Sequence, residues 1–434
     1  MQCQSAGHLP EAEAVYHRII ENDPSQPIAL HMLGVIAHQT GNKDRAVDLI
    51  TRALVINPKY AEAHYNYGIM LNELGKIDQA AESFKNALDI NPSYVEAHNN
   101  LGNVFRELGK LEKAATCYHA AIAINSAYTE AHYNLGNLFR EKGKLADAIS
   151  SYQKAIELKT DYIEAHYNLG NVFNILGKVQ EAVASYKKVL EINPNHGDAH
   201  YGLGSLHRRL GKLDEAVASY KKALTINPRS ADIYLSLGVV LRAQEKVDEA
   251  VECFNKALEV KPNYAEAYSN LGSTLHELGS IDDSIACFRR ALEAKPDLVQ
   301  SHSMLLFVEQ YNLRNSAESL YELHCEWEKH HGAGYRSSWP KHNNTPDTER
   351  RLRIGFVSPN LGRHPVGYFL ISLLENLPKK EVETVAYSDR DRDDMTDRIM
   401  AATNVWRGTR EATDEELLEK IANDKIDILI DLAG

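Results

Sequence analysis

Eight glycines, Gly34, Gly68, Gly102, Gly136, Gly170, Gly204, Gly238 and Gly272, stand 34 residues apart without a slip. A second set follows seven residues later at Gly41, Gly75, Gly109, Gly143, Gly177, Gly211 and Gly279, with Glu245 the only departure. In phase with both run Ala46, Ala80, Ala114, Ala148, Ala182, Ala216 and Ala250, then an aromatic at Phe84, Tyr118, Tyr152, Tyr186, Tyr220, Phe254 and Phe288. Proline closes most units, as at Pro58, Pro92, Pro194, Pro228, Pro262 and Pro296. Each unit therefore reads as helix, turn, helix, stop: small residues let two helices approach, the aromatic fills the space between them, and proline prevents continuation. A unit this short cannot bury its apolar face alone, so the units must stack into a one-dimensional solenoid.

This pattern is similar to the tetratricopeptide repeat. Eight full repeats are predicted over 27–298, with the second half of an earlier one within 1–26, where Ala12, Tyr16 and Pro24 hold the second-helix positions. Such arrays need polar capping units, and none precedes this half repeat, so the chain is expected to be short at that end. At 434 residues the chain exceeds one ordinary core, and 44% hydrophobic with 25% charged residues places it in the soluble globular class. No basic segment leads into an apolar one at the start, and no run of about 18 apolar residues occurs, so neither a signal peptide nor a spanning helix is expected. A cytoplasmic location follows by default. The formal charge of -12 leaves no general affinity for nucleic acid or anionic membranes. Oligomerisation is left open.

The repeat frame also sorts the polar residues. Cys117, Cys253 and Cys287 share one second-helix position with Ser83, Ser151, Ser185 and Ser219, a slot for a small side chain, so free thiols are expected rather than a metal or redox set. His64, His98, His132, His166 and His200 share one first-helix position, which is ladder spacing and not a ligand cluster. Asn66, Asn100, Asn134, Asn168 and Asn270 recur two residues before the first-helix glycine. Asparagine is a mediocre helix former and needs a reason to recur there. A ladder of amides on the concave face suits the backbone of an extended peptide; the alternative is that each bonds a neighbouring repeat. Gly202 and Ser236 interrupt the ladder, and a peptide grip is expected to be weaker there.

After Pro296 the period fails. Residues 299–332 read as a two-helix cap and 333–350, rich in Gly, Pro, Asn and Ser, as a linker. From 351 to 434 strands alternate with helices: "LRIGFVS", "VETVAYS" and "DILIDLAG" are strands, "VGYFLISLLENL", "DDMTDRIMAATN" and "DEELLEKIAND" helices, which implies a parallel α/β sheet. The last strand, with Ile426, Ile428, Leu429, Ile430 and Leu432, is expected to be buried. "PNLGRHP" follows the first strand, at the edge where such sheets place ligands. His364 there can accept a proton from a hydroxyl or orient one; a surface helix-start histidine is the alternative, and Arg363 beside it reads equally well as a surface charge. The loop has neither glycine-rich phosphate spacing.

"RLRIGFVSPNLGRHPVGYFL", "VETVAYSDRDRDDMTDRI" and "IDILIDLAG" resemble the opening of the catalytic region of bacterial O-linked N-acetylglucosamine transferases, the family that includes the plant SPINDLY proteins. The resemblance implies a mainly α protein: a tetratricopeptide superhelix, or α-solenoid, followed by a partial Rossmann-like α/β lobe of GT-B type. It implies transfer of a sugar from a nucleotide donor such as UDP-GlcNAc to Ser or Thr of protein acceptors presented by the repeats, with His364 on the acceptor side; GlcNAc and fucose both stay open. The donor-binding second lobe is not in the sequence, so the chain is expected to be part of a longer transferase, inactive by itself. The rival expectation is a non-catalytic scaffold that binds peptide partners.

Overall fold

The computed structural model describes residues 9–334, 344, 347 and 349–432, and the chain forms two compact units that divide between Leu320 and Tyr321. The first is the array. Pro27–Gln39 pairs with Lys43–Ile56 and Ala61–Glu73 with Ile77–Ile90, and the same pair recurs at each 34-residue step through Ala265–Glu277 and Ile281–Ala294. Leu9–Asn22 is the half repeat, burying Ala12 and Tyr16. At the far end Val299–Glu309 packs Leu305 and Val308 on Ile285 and Phe288, whereas Ala317–Trp327 buries none of its side chains. Residues 1–8, most of the 333–350 linker and the closing Ala433 and Gly434 lie outside the described residues.

Two glycine positions carry the repeat geometry. A Cβ at Gly136 would come within 2.7 Å of the Tyr152 ring, so the first helix can seat on the second only with hydrogen there. Gly143 turns the chain at φ 71°, in the left-handed region; Glu245 occupies that turn one time and adopts φ 62° without glycine's freedom. First helices of consecutive repeats touch one another as well as their own partners, while second helices reach mainly the next first helix, so the first helices form the inner row.

The ladder residues tie this frame together. Nε2 of His64, His98, His132, His166 and His200 lies 3.0 Å from the carbonyl oxygen six residues earlier, at Pro58, Pro92, Ser126, Thr160 and Pro194, so each ring donates into the loop that enters its own helix. Cys117 and Cys253 are buried, and burial pushes all three array thiols, Cys287 included, up to about 11, which leaves them protonated and inert at neutral pH.

The second unit contains β1 Leu352–Val357, α1 Pro365–Asn376, β2 Val382–Ser388, α2 Asp394–Ala402, β3 Val405–Gly408, α3 Asp414–Asn423 and β4 Ile428–Asp431. All pairings are parallel and the order is β3-β2-β1-β4, so the chain runs outward from β1 and then returns to its other side. Phe356, Leu370, Ile371, Leu374 and Ile399 fill the space under α1 and α2. Val385, Tyr387 and Ile426 pack with Leu417 and Ile421 of α3 on the opposite face. The four-residue β3 was not anticipated; "VWRG" is too short to show a period of two. The last strand corrects the reading of a buried β4. It pairs parallel with β1 as expected, but it lies at the sheet edge with Ile428 and Leu429 45% and 50% exposed.

Candidate functional site

Along the inner row, each ladder amide meets the residue that precedes the corresponding asparagine one repeat earlier. Asn66 Nδ2 donates to His31 Nε2 at 2.8 Å, and Asn100 Nδ2 to the Tyr65 hydroxyl at 3.1 Å. Asn134 Nδ2 donates to Asn99 Oδ1 at 2.9 Å, and Asn168 Nδ2 to the Tyr133 hydroxyl and to Asn137 Oδ1. All four are half-buried and each spends amide donors on the neighbouring repeat; among the described residues Oδ1 of Asn66, Asn134 and Asn168 accepts no hydrogen bond, and that of Asn100 accepts only a long one, 3.5 Å, from Asn99 Nδ2. The result is a continuous polar spine whose amide oxygens, three of them unused and the fourth weakly engaged, are acceptors set one per repeat.

A second polar row supports it. Tyr118, Tyr152 and Tyr186 donate their hydroxyls to Oδ1 of Asn103, Asn137 and Asn171 at 2.8, 2.8 and 2.6 Å. These partners were legible in principle, since Tyr65, Asn99, Tyr133, Tyr167 and Tyr201 share one register, but a tyrosine in a repeat reads first as packing. An open depression of about 570 Å³, lined by Asn103, Arg106, Glu107, Asn134 and Glu141, joins both rows. At the start of the spine His31 is buried between Asn66 and the Tyr60 hydroxyl, and burial lowers its pKa to about 4. It therefore stays neutral, with its proton on Nδ1 facing Tyr60.

The structure also explains where the spine changes. At Gly202 a Cβ would lie 2.8 Å from the Tyr186 ring, which occupies the space of a side chain. Ser236 keeps only a 3.4 Å contact to the Tyr201 hydroxyl. Asn270 is not part of the spine: its amide donates to the Glu266 carbonyl of its own helix, because Leu235 stands where the acceptor of the preceding repeat should be.

In the second unit the loop after β1 sits at the carboxyl ends of β1 and β4, where the strand order reverses. His364 caps α1: its Nδ1 accepts the Val366 N–H at 3.3 Å, which places the ring proton on Nε2 and Pro365 at the first helical position. In this state Nε2–H is a donor that can orient an oxygen, and the Nδ1 lone pair is already engaged. Arg363 is held by both oxygens of Asp394 at 2.6 and 2.9 Å, and Arg390 by Asp393. Asp393 also accepts the Arg363 and Thr396 N–H groups, which hold its carboxyl far below the usual range. With both arginines paired, neither is set to grip a diphosphate. Phe356, Val366, Phe369, Leu370, Leu373, Ile430 and Leu432 line an apolar groove of about 350 Å³ beside this loop.

Comparison with known proteins agrees with this geometry. Family models for the TPR repeat match residues 68–105 and 102–139, and tetratricopeptide repeat models match 4–61 and 49–82. The chain is a tetratricopeptide-repeat protein. A model described as the cilia and flagella-associated protein 70 C-terminal domain covers 125–334 of the same tetratricopeptide array. The curated relatives are SPINDLY-like: a probable UDP-N-acetylglucosamine–peptide N-acetylglucosaminyltransferase SPINDLY of Petunia hybrida is 31% identical over 136 residues, 30% of this chain and 14% of the relative. A probable transferase of the same description, SEC of Arabidopsis thaliana, is 33% identical over 87 residues, 20% of this chain and 9% of that one. The tetratricopeptide chain thus spans about one seventh of the length of the first curated relatives it matches. A solved Thermobaculum terrenum O-GlcNAc transferase mutant superposes with a TM-score of 0.43 at 30% identity, covering 54% of this chain and 45% of that one. Tetratricopeptide arrays generally bind peptides or proteins. Among the described residues no helix is long and apolar enough to cross a membrane.

Proposed function

We propose that the array holds an extended polypeptide along its inner row and that the α/β unit belongs to the acceptor-side lobe of a protein O-glycosyltransferase, which moves a sugar from a nucleotide donor such as UDP-GlcNAc to Ser or Thr. The observation that carries the first part is the spine: four amides fixed by cross-repeat hydrogen bonds, with the carbonyl oxygens of Asn66, Asn134 and Asn168 left over for a backbone N–H and that of Asn100 engaged only at 3.5 Å by Asn99. Prepaid ordering favours binding, because these side chains lose little further freedom when a ligand arrives. His364 has a positioning role through its Nε2–H toward the incoming hydroxyl. The donor is held by groups other than Arg363 after β1 and Arg390 after β2, both of which are paired.

Replacing Asn100, Asn134 and Asn168 together with Ala tests the first part. Affinity for Ser/Thr-containing extended peptides is expected to fall by roughly 1 to 3 kcal/mol in sum, at about 0.5 to 1 per hydrogen bond, in an anisotropy titration at a temperature where circular dichroism shows both proteins folded. Unchanged affinity would confine the spine to holding the repeats together. The non-catalytic scaffold shares this array and is favoured by the engagement of His364 as a cap. His364→Asn separates the two, since asparagine keeps the cap without the imidazole: transfer activity of a chain with both lobes should fall if the ring positions the acceptor and stay level if it only caps.

A further inference from the structure

Where the amide spine stops, the charge at the other end of the inner helices changes. In the third and fourth repeats the penultimate arginines of these helices, Arg106 and Arg140, are each followed by a carboxylate, Glu107 and Glu141. In the sixth and seventh repeats the corresponding Arg208 and Arg242 are followed by Arg209 and Ala243. Three guanidiniums thus share two adjacent repeats, with none of the alternating counter-charge seen earlier.

Each of the three is held differently. The Arg208 guanidinium faces the Tyr220 hydroxyl, as Arg140 faces that of Tyr152. Arg209 Nη1 donates to Asn174 Oδ1 of the preceding repeat at 2.5 Å, so it is anchored at one nitrogen. Arg242 has Phe254 where the other two repeats have tyrosine, and its Nη1 is buried without a hydrogen-bond partner. A buried guanidinium N–H with no acceptor is costly unless something supplies one. Among the described residues none of the three arginines makes an ion pair: Asp214 accepts from Gln244, and the residue in register with Arg242 one repeat on is His276, not a carboxylate.

We propose that Arg208, Arg209 and Arg242 form a carboxylate-selective subsite that recognises acidic side chains of the polypeptide held in the groove. The subsite rests on the groove reading above. The amides of the second to fifth repeats hold backbone regardless of sequence, and the sixth and seventh repeats add selection by charge. Successive inner helices lie about 10 Å apart, and an extended chain in polyproline II geometry rises about 3.1 Å per residue with three residues per turn, so two acids separated by two residues lie on one face about 9 Å apart and match two adjacent repeats. Guanidinium forks suit carboxylates, and none of these three guanidiniums is already committed to one.

The test uses two labelled extended peptides that differ only in a Glu-x-x-Glu or Gln-x-x-Gln pair, titrated against the full chain. The Glu peptide is expected to bind roughly tenfold more tightly at low salt, with the preference shrinking as salt rises. The triple variant Arg208→Gln, Arg209→Gln, Arg242→Gln should abolish the preference and leave Gln-peptide affinity unchanged, while the triple change to Lys should retain part of it. Equal binding of the two peptides by the unaltered chain, or a preference that survives the Gln variant, overturns the subsite and leaves the groove intact. Binding of neither peptide removes the groove reading and the subsite with it.

Discussion

In the array, the contact that ties one repeat to the next occurs again 34 residues later: Asn100 to Tyr65, Asn134 to Asn99, Asn168 to Tyr133. In the α/β unit the corresponding ties occur once. Asp427 alone receives Arg350, the Arg353 N–H and Asn344, linking the entry to β1 with the entry to β4 across more than 70 residues of chain. The array distributes its stability over near-identical interfaces, so losing one is local, whereas the sheet depends on a few long-range pairings whose loss is shared by every strand. The aromatic side chains show the contrast: Phe369 on α1 is 80% exposed, while the ring between the two helices of each of the second to eighth repeats is almost completely buried.

The largest expected effect attacks the sheet at one of its unrepeated ties. Asp427 is 7% exposed, and Arg350 holds its carboxyl well below the ordinary carboxylate range. Asp427→Ala should cost the α/β unit about 3 kcal/mol by removing the carboxylate that accepts from Arg350, the Arg353 N–H and the Asn344 side-chain amide. Hydrogen exchange should show β1 and β4 losing protection while Tyr118, Tyr152 and their helices keep it. Equal loss in the repeats would mean that the two units unfold as one.

A smaller effect probes whether the array is as uniform as its period suggests. His31 is buried and neutral, with its pKa lowered from 6.5 to about 4, so the unfolded chain binds more protons between those values and stability must fall as pH drops through that window. The first repeats should lose about 2 kcal/mol by pH 5, read as faster exchange around Leu33 and Ile50 than around Val172 and Val189. His31→Gln should flatten that difference; a pH response equal in all repeats would count against this assignment.

The smallest expected effect is a gain. Glu245 sits at φ 62° in the turn where seven other repeats place glycine, so Glu245→Gly should stabilise the seventh repeat by about 1 kcal/mol in urea denaturation. A loss instead would show that the Glu245 side chain contributes more than its backbone strain costs.

The helix pairs were readable because volume and φ requirements recur: glycine against a ring, glycine in a left-handed turn, proline at the stop. Within the α/β unit β1, β2 and three helices were readable from local pattern, but β3 was not, and the apolar run of β4 did not distinguish an edge strand from a buried one. For the candidate site, the sequence marked Asn66, Asn100, Asn134 and Asn168 and the cap position of His364. It did not show that the amide donors are already engaged, or that Asn270 turns back onto Glu266.

What the sequence by itself determined, then, is everything written in one repeat and copied: helix lengths, turns, the buried ring and the identity of each ladder. Those features depend on residues within a single 34-residue unit, so local sterics suffice. Only the tertiary structure decided which atoms of a ladder remain free. A hydrogen bond between Asn168 and Tyr133 exists because stacking brings these two side chains of neighbouring first helices within 3.1 Å, and the Arg242 nitrogen lacks a partner because Phe254 of its own repeat has no hydroxyl and nothing across the stack replaces it. Sequence spacing names the candidates for such contacts; the distance between stacked helices determines which are made.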